Sequence, residues 1–368
     1  MSETGGSAAL PQDLLAGQCP RLLDEWQWAP ALWDSVRRAA AKGLSPGRYI
    51  LAGPDPAGIR GTGGGVSDGI GHIRMGTMSL HESGDSVGHV SLGGLFGGQG
   101  EVGGYSDRML SDISAMLVRG GWPGIIGKPD ASAAQFVKGY CRRIIRDGAA
   151  FPDAPGRDPD KTRAVLVSLS TRTATPASRA EVLADAAASG QNMHANTLDG
   201  YIRDLRRMCV VENLDAWIPE LRTKSVVRTS PTRHLTDPSL AAAMLGKDAD
   251  GLIEDLKTFG SLFESMVVRD LRAYATALGG SVLHYRDGDG LEADAVIRLG
   301  DGRWAAFEAD LGTTKGIDGG ARSLLTLKKR VDDDVRSKMA FCAVITAGRV
   351  AYTRRDGVHV IPLTCLRP

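Results

Sequence analysis

Residues 259–310 read FGSLFESMVVRDLRAYATALGGSVLHYRDGDGLEADAVIRLGDGRWAAFEAD, and this stretch decides the fold of the C-terminal part of the chain. Apolar residues recur at helical spacing from Gly260 to about Leu278, which predicts an amphipathic helix. Short apolar runs then predict strands, with one more helix between the third strand and the fourth. The predicted strands are Val282–Tyr285, Ala293–Leu299, Trp304–Ala309, Ala340–Ile345 and Val358–Pro362, and the helix is Ala321–Val335. We expect these elements to close as a mixed sheet flanked by helices.

Acidic residues lie at the ends of two of these strands. Residues two apart on a strand share a face, so two pairs of carboxylates are expected side by side. The pairs are Glu292 with Asp294 and Glu308 with Asp310. Converging carboxylates predict a hard-cation site, and Mg²⁺ held in this way can activate water for phosphodiester hydrolysis.

Glu264, on the preceding helix, is a candidate third arm of this site. The alternative reading is structural, because Glu264 lies three residues after Ser261 and that spacing is typical of a capping box. Acids at strand ends are also common without any metal. The spacing alone leaves both readings open.

Two helices are expected to start between residues 178 and 207. Ser178 with Glu181, and Asn196 with Asp199, each place a capping residue and an acid three residues apart. The apolar segments 210–217 and 226–235 follow and are suited to a wing, so the unit resembles a winged helix-turn-helix.

Three arginines of the second helix are candidate contacts to DNA phosphates. They are Arg203, Arg206 and Arg207. Two alternatives stay open, because a charged helix face is usually just solvated, and a unit of this kind can equally be a structural linker.

Several segments in fixed order resemble the bacterial and archaeal domain of unknown function 4143. The C-terminal segments are Phe259–Ser265, His284–Arg286, Leu291–Asp294 and Trp304–Glu308. The N-terminal segments are Pro20–Gln27 with Ala29, Pro30 and Trp33, then Ile50–Gly53 and Met78–Gly84. The resemblance covers nearly the whole chain. It implies an AAA+ P-loop ATPase module followed by a domain with a PD-(D/E)xK nuclease-like fold.

The chain departs from the ATPase pattern. A P-loop NTPase cradles phosphates with G-x-x-x-x-G-K-[ST] ahead of its Walker B strand, and no such segment precedes Asp24. The resemblance implies that Asp24 and Glu25 would hold Mg²⁺ and polarise water if nucleotide were bound. Without the loop we interpret them as structural relics and expect no ATP binding by the chain as it stands. The alternative is that the phosphate loop lies on sequence missing from this chain.

The nuclease-like motif is altered at one position. The resemblance implies Glu-x-Lys, whose lysine positions the attacking water, whereas this chain has Glu308, Ala309 and Asp310. If the site is active, the catalytic set is Asp294, Glu308 and a relocated Lys315, and the metal set is Glu264, Asp294, Glu308 and Asp310. Replacing the cation by an anion attracts Mg²⁺ but removes the group that serves the transition state.

Composition narrows the class of protein. The 44 basic and 43 acidic side chains nearly cancel, so any surface for nucleic acid must be local. Five cysteines form no CxxC pair, which argues against a zinc ribbon and favours a reducing cytoplasm. The sequence shows neither a signal peptide nor an apolar run of membrane length. Eighteen of the 47 glycines lie between Gly53 and Gly104, which predicts a loop-dominated region and is interpreted as an eroded nucleotide site.

These signals predict an α/β protein in three parts. Residues 1–105 form a truncated AAA+ remnant, residues 106–245 a helical and winged-helix-like domain, and residues 246–368 a nuclease-like domain. Two hypotheses for function follow. The first is a catalytically degenerate protein that binds DNA or a protein partner. The second is an enzyme, either a metal-dependent nuclease or an ATPase whose phosphate loop is missing.

Overall fold

The computed structural model describes residues 14–42, 47–53, 71, 73–147, 156–221 and 226–368. Its α-helices are α1 (Ala31–Ala41), α2 (Leu92–Phe96), α3 (Leu110–Arg119), α4 (Asp130–Asp147), α5 (Pro159–Thr171), α6 (Arg179–Ala188), α7 (Ala195–Arg207), α8 (Pro238–Met244), α9 (Ala249–Glu254), α10 (Leu256–Ala277), α11 (Thr314–Arg330) and α12 (Asp333–Ser337). Its strands are β1 (Arg21–Asp24), β2 (Tyr49–Ala52), β3 (Val90–Ser91), β4 (Gly103–Tyr105), β5 (Val211–Leu214), β6 (Thr232–Leu235), β7 (Gly280–Arg286), β8 (Glu292–Leu299), β9 (Trp304–Asp310), β10 (Met339–Thr346), β11 (Val350–Thr353), β12 (His359–Pro362) and β13 (Leu366–Arg367). No helix among these residues is long and apolar enough to cross a bilayer.

A seven-stranded mixed sheet organises the C-terminal part, in the order β4-β11-β12-β10-β9-β8-β7. Strands β7, β8 and β9 form an antiparallel meander. Helix α11 then carries the chain across one face to β10, which lies parallel to β9, and β12 pairs in parallel beyond β10. Strands β11 and β4 complete the other end in antiparallel pairing. The predicted α/β class and the mixed sheet are confirmed.

Helices cover both faces of this sheet. On one face α10 buries Phe263 and Val267 in a large cluster that includes Phe307 of β9. On the other face Leu324 and Leu327 of α11 pack with Trp304 in a second cluster. Because side chains alternate along a strand, the residue after Phe307 faces α11. Each fully buried large apolar side chain stabilises the fold by about 1.5–3 kcal/mol.

The helix boundaries differ from the predictions for local reasons. Helix α10 begins at Leu256, because Asp255 caps it by accepting hydrogen bonds from the amide and hydroxyl of Thr258 at 3.2 and 2.8 Å. Helix α11 begins at Thr314, seven residues before the predicted Ala321, because the Thr313 hydroxyl accepts from the Gly316 amide at 3.0 Å. Strand β11 was not predicted at all.

The two predicted helix caps upstream have different outcomes. Ser178 and Glu181 form the predicted capping box at the start of α6. The predicted cap at Asn196 is wrong, since α7 has His194 in the capping position and Asp199 instead pairs with Arg179 at 3.0 Å.

Part of the glycine-rich stretch pairs with strands from the C-terminal part of the chain. Residues 54–70, with their glycine run, lie outside the described residues. Further along, β3 pairs in parallel with β13 at the C-terminus, and β4 is the edge strand beside β11. A stretch predicted to be loop therefore supplies short elements that pair with strands more than 240 residues away.

A buried ionic cluster joins three distant segments of the chain. The guanidinium of Arg269 on α10 donates to Asp270 from Nε and Nη2, at 2.9 and 2.7 Å, and to Asp237 from Nη1 at 3.0 Å. Both aspartates are completely buried, and the Arg269 side chain is 6% exposed. Burial opposes ionisation of both acids; the charge of Arg269 overcomes it at Asp237, whose pKa is lowered, whereas burial prevails at Asp270, whose pKa is raised.

The same carboxylates anchor backbone from outside α10. Asp270 accepts the amide of Leu80 at 2.9 Å, and Asp237 accepts the Gly121 amide at 2.9 Å and the Thr77 hydroxyl at 2.7 Å. Gly121 is required here, because a Cβ at this position would lie 2.0 Å from the Met78 carbonyl oxygen. The cluster thus binds chain segments that cannot be recognised as its partners from the sequence.

The predicted wing exists as a hairpin, but its connecting segment is docked on the sheet. Strands β5 and β6 pair in antiparallel, as a wing requires. Beyond β5, the Trp217 amide donates to the His284 carbonyl of β7 at 2.7 Å, and the Arg228 amide donates to the Arg286 carbonyl at 2.8 Å. The Trp217 ring lies 4.5 Å from that of Trp304. These contacts favour the structural-linker alternative for this part of the unit.

The N-terminal residues that are described form a strand-helix-strand unit. Strands β1 and β2 pair in parallel, with Leu23 opposite Leu51, and α1 lies between them in sequence. Leu23, Trp26, Leu32 and Val36 form its small buried cluster. This element order agrees with the order expected from the resemblance, while the assignment to an AAA+ module stays a prediction.

Replacing Arg269 tests the ionic cluster. Arg269→Met leaves two buried acids without their cation and is expected to lower the free energy of unfolding by about 3–5 kcal/mol. Arg336→Met is the matched control, because Arg336 pairs with Asp333 at the surface and exposed pairs contribute at most about 1 kcal/mol. Urea unfolding of both variants gives the comparison. Similar losses in the two variants would contradict the role assigned to the cluster.

Candidate carboxylate site

Three acidic side chains from α10, β8 and β9 come together at one end of the meander. Ala295 pairs with Phe307 in the register of β8 and β9, and just beyond this pair Asp294 lies close enough for its charge to act on Glu308. The Asp294 carboxylate accepts the amide of Ala309 at 2.8 Å, which fixes it against β9. The predicted pairs, Glu292 with Asp294 and Glu308 with Asp310, each lie on one strand and stay predictions; the structure brings together Asp294 and Glu308 from neighbouring strands.

Glu264 reaches the same place from α10. Since Asp255 caps that helix, Glu264 lies in its third turn, and the capping-box alternative for Ser261 and Glu264 is wrong. Helix α11 approaches Glu308 from the other side: a Cβ added at Gly320 would lie 3.0 Å from the Glu308 Cβ. Glycine at 320 thus leaves room for the glutamate between helix and strand.

Burial and mutual repulsion raise the pKa values of these acids. Burial, reinforced by the charge of Glu292, raises the pKa of Asp294 to about 6 against the hydrogen bond from Ala309. Burial and then the charge of Asp294 raise the pKa of Glu308 well above its ordinary value. The pKa of Glu264 is raised in the same way by burial, then by Asp294, Glu308 and Glu292.

Arg286 forms an ion pair with Glu292, the most exposed acid near this cluster. The pairing atoms lie 3.0 Å apart, and Glu292 is half exposed. Among the residues described, no lysine or arginine forms an ion pair with Glu264, Asp294 or Glu308. Sequence reasoning missed Arg286, although it lies inside one of the segments that carry the family resemblance.

The cluster does not have the geometry of a bound metal. Within the ranges that the structure describes, no three His, Cys, Asp or Glu side chains are placed to hold a metal ion. The chemistry of the donors suits Mg²⁺, which prefers carboxylate oxygens. The metal set Glu264, Asp294, Glu308 and Asp310 therefore stays a prediction, and three of its four members are neighbours.

Asp310, the residue in the expected lysine position, has a structural task of its own. Its Oδ1 accepts the amides of Gly312 and Thr313, both at 2.7 Å, in the turn that leads into α11. A Cβ at Gly316 would lie 1.7 Å from the other carboxylate oxygen, so only glycine fits there. A carboxylate is favourable at a helix N-terminus, where amide groups are unsatisfied. Asp310 thus closes the turn.

Lys315, the candidate replacement for the lysine, is the second residue of α11 and faces solvent. It is exposed at the start of α11 and forms no ion pair within the described part of the chain. Asp310 closes the turn before α11, and Lys315 lies next to that turn in the first turn of the helix. Its catalytic role stays a prediction.

The other predicted site residues lie elsewhere. Asp24 ends β1, where its carboxylate accepts the amide of Glu25 at 3.0 Å, and both acids are exposed. On α7 Arg203 is exposed beside Asp204, and Asp204 is buried by its pairing with Arg157. The Walker B-like pair on β1 and the arginines on α7 thus belong to different elements from the carboxylate cluster, which lies on α10, β8 and β9.

Arginines of α6, α7 and β6 lie near one another, with Arg206 and Arg179 in the electrostatic environment of Arg233. Burial, followed by the charges of Arg206 and Arg179, lowers the pKa of the Arg233 guanidinium on β6. Arg206 and Arg207 are partly buried and engaged in contacts of their own. Like charges held this close favour a bound anion.

The fold and the acids together define a mixed α/β protein with a carboxylate cluster at the ends of neighbouring strands. Residues 259–366 match the family described as Domain of unknown function (DUF4143), which confirms the resemblance for the C-terminal part. Residues 110–251 match a second family, Domain of unknown function (DUF8612). No curated protein and no solved structure matches the chain.

Removing one buried acid tests the electrostatics of the cluster. The folded-state pKa values of these acids lie above their unfolded values, so their contribution to stability is greatest at low pH and is lost as pH rises, for Asp294 from about pH 4 to about pH 6. Glu264→Gln is expected to raise the free energy of unfolding near neutral pH by about 1–3 kcal/mol, with the gain vanishing in acid. Urea titrations with a chelator present measure this.

The exposed Glu101→Gln is the control for this effect. It removes the same charge far from buried acids and is expected to leave the unfolding free energy within about 0.5 kcal/mol. A Glu264→Gln variant less stable than the wild type at neutral pH would show that the carboxylates are not in conflict.

Proposed function

We propose that this protein is a catalytically degenerate, nuclease-like protein that binds nucleic acid. The observation that carries the proposal is the commitment of Asp310 to the turn before α11. Phosphodiester cleavage needs a group that stabilises charge developing in the transition state. Here that position holds a carboxylate, and Glu264, Asp294 and Glu308 have no cation among them in the described residues.

Support for nucleic acid as the partner comes from local positive charge. The chain is nearly neutral, so a basic surface has to be concentrated somewhere to attract a polyanion. The charges of Arg206 and Arg179 act on Arg233 and lower its pKa, and Asp199, which pairs with Arg179, offsets only part of this effect. Phosphate groups relieve such repulsion, because guanidinium donors match their geometry.

A metal-dependent nuclease is the second candidate. Three carboxylates from α10, β8 and β9 are already neighbours, and a divalent cation would displace the protons that burial now favours. When bound, Mg²⁺ would supply Lewis acidity and an activated water. Lys315 would then have to supply the positive charge from α11.

A combined binding and cleavage assay tests the proposal. Labelled single- and double-stranded DNA and RNA are expected to bind with an affinity that falls as salt rises, and to remain intact with Mg²⁺ or Mn²⁺. Cleavage that is lost in Lys315→Ala would replace the proposal with the nuclease. Absence of binding at low salt would contradict it and leave a protein partner.

Asp310→Lys gives the matched gain-of-function test. Because Asp310 closes a turn, the lysine variant also loses a cap, so Asp310→Asn serves as the control for stability. Cleavage by Asp310→Lys, with none by Asp310→Asn, is expected if the remaining carboxylates keep a competent arrangement. ATP binding by the chain as it stands is not part of the proposal.

A further inference from the structure

A concave basic surface lies between α4 and α5, remote in sequence from the carboxylate cluster. Two adjoining cavities of about 250 and 510 Å³ open there. Both are lined by Arg142 and Ile145 of α4 and by Arg163 of α5. We call this surface the α4–α5 groove, and its basic residues are Lys138, Arg142, Arg143, Arg146 and Arg163.

The positive charge of the groove is not balanced from within. No acidic side chain of the described residues lines either cavity. Lys138, Arg142 and Arg163 are exposed and form no ion pair in the described part of the chain. Arg143 and Arg146 line the second cavity as well and have contacts of their own. Asp160 lies one turn before Arg163 on α5, but the two form no ion pair.

The spacing of these residues carries a cost to α4. Lys138, Arg142 and Arg146 follow one another at intervals of four residues, so their side chains lie on one face of the helix. Like charges at this spacing destabilise a helix. Lys138 and Arg142 form no ion pair in the described part of the chain, so an anion bound beside them would relieve the repulsion between them.

The floor of the groove strengthens its attraction for an anion. Ile145 and Cys141 are buried beneath the cations. Burial raises the pKa of the Cys141 thiol to about 11, so it stays neutral and adds no negative charge. An apolar floor lowers the local dielectric, and charges above it interact more strongly than they would over open water.

The length of the stripe fits a polymer of phosphates. From Lys138 to Arg146 the axis of α4 rises by about 12 Å, at about 1.5 Å per residue. One strand of a duplex carries a phosphate about every 3.4 Å along its axis, so the stripe spans about three phosphates. Most of the cations are arginines, whose planar forks bind phosphate oxygens in pairs.

We propose that the α4–α5 groove binds the sugar–phosphate backbone of nucleic acid, through Lys138, Arg142 and Arg163. The inference rests on the proposed function for the kind of partner, but it assigns the contact to a surface other than α7. Its concave shape favours a single flexible strand or the edge of a duplex over a flat lipid surface. Contact with phosphate alone makes the binding independent of base sequence.

Fluorescence anisotropy with a labelled oligonucleotide of about 20 nucleotides, single-stranded or duplex, measures the contact between about 50 and 200 mM salt. For Arg142→Ala/Arg163→Ala we expect the Kd at low salt to rise about ten-fold, because two phosphate contacts are lost. The slope of log K against log salt becomes shallower by roughly 1.4 for the single strand or 1.8 for the duplex. Arg142→Lys/Arg163→Lys keeps the charge and is expected to retain most of the affinity and the original slope.

Arg322→Ala/Lys329→Ala is the matched control, since both residues are exposed on α11 and the variant removes the same net charge. It is expected to bind like the wild type. Equal weakening in control and groove variants would show a response to net charge alone and would overturn the groove. Loss of binding to phosphatidylserine vesicles, with nucleic-acid binding unchanged, would overturn it in favour of a lipid.

The triple variant Arg203→Ala/Arg206→Ala/Arg207→Ala separates this inference from the proposed function. Binding that is lost in the triple variant but unchanged in the groove variant overturns the groove and leaves nucleic-acid binding in place. Binding that is lost in the groove variant alone supports the groove and removes α7 from the contact. No binding by the wild type to any of the probes contradicts both.

Discussion

One guanidinium holds together parts of the chain that are otherwise far apart in sequence. Arg269 lies between Asp237 and Asp270, and those carboxylates in turn accept the amides of Leu80 and Gly121. A buried ion pair contributes little net stability compared with apolar packing, but breaking it is costly because a charge is left without a partner. The arrangement therefore tolerates few alternatives. It ties the backbone at Leu80 and Gly121 to α10, which packs against the sheet.

The carboxylate cluster and the α4–α5 groove are opposite in charge and different in origin. At the sheet, buried acids from α10, β8 and β9 are forced together by strand register and helix packing, and their proton affinity rises as a result. On α4 and α5, Lys138, Arg142 and Arg163 are exposed and form no ion pair within the described part of the chain. Asp310 closes the turn before α11, and the proposed function interprets its carboxylate as standing where a nuclease-like site would need a lysine.

The sequence was sufficient where the signal is local. Helical spacing predicted α10, the pair of Ser178 and Glu181 predicted a helix cap, and the strands of the meander follow from short apolar runs. Local signals failed where two of them competed: Asp255, not Ser261, starts α10, and His194 precedes α7 where Asn196 was expected. The partners of Arg269 could not be predicted, because Asp237 and Leu80 are brought to it only by the tertiary fold. The basic stripe of α4 could have been predicted from the four-residue spacing of its cations.

Native-state hydrogen exchange of the Leu80 and Gly121 amides tests the central claim most directly. Both amides donate to the carboxylates that flank Arg269. If the ionic cluster ties residues 77–121 and the sheet into one cooperative structure, these amides exchange with the same free energy as the amides of β10, through global unfolding. Exchange of Leu80 and Gly121 through a cheaper local opening, while β10 remains protected, would contradict the account and separate the helical part from the sheet as independent units.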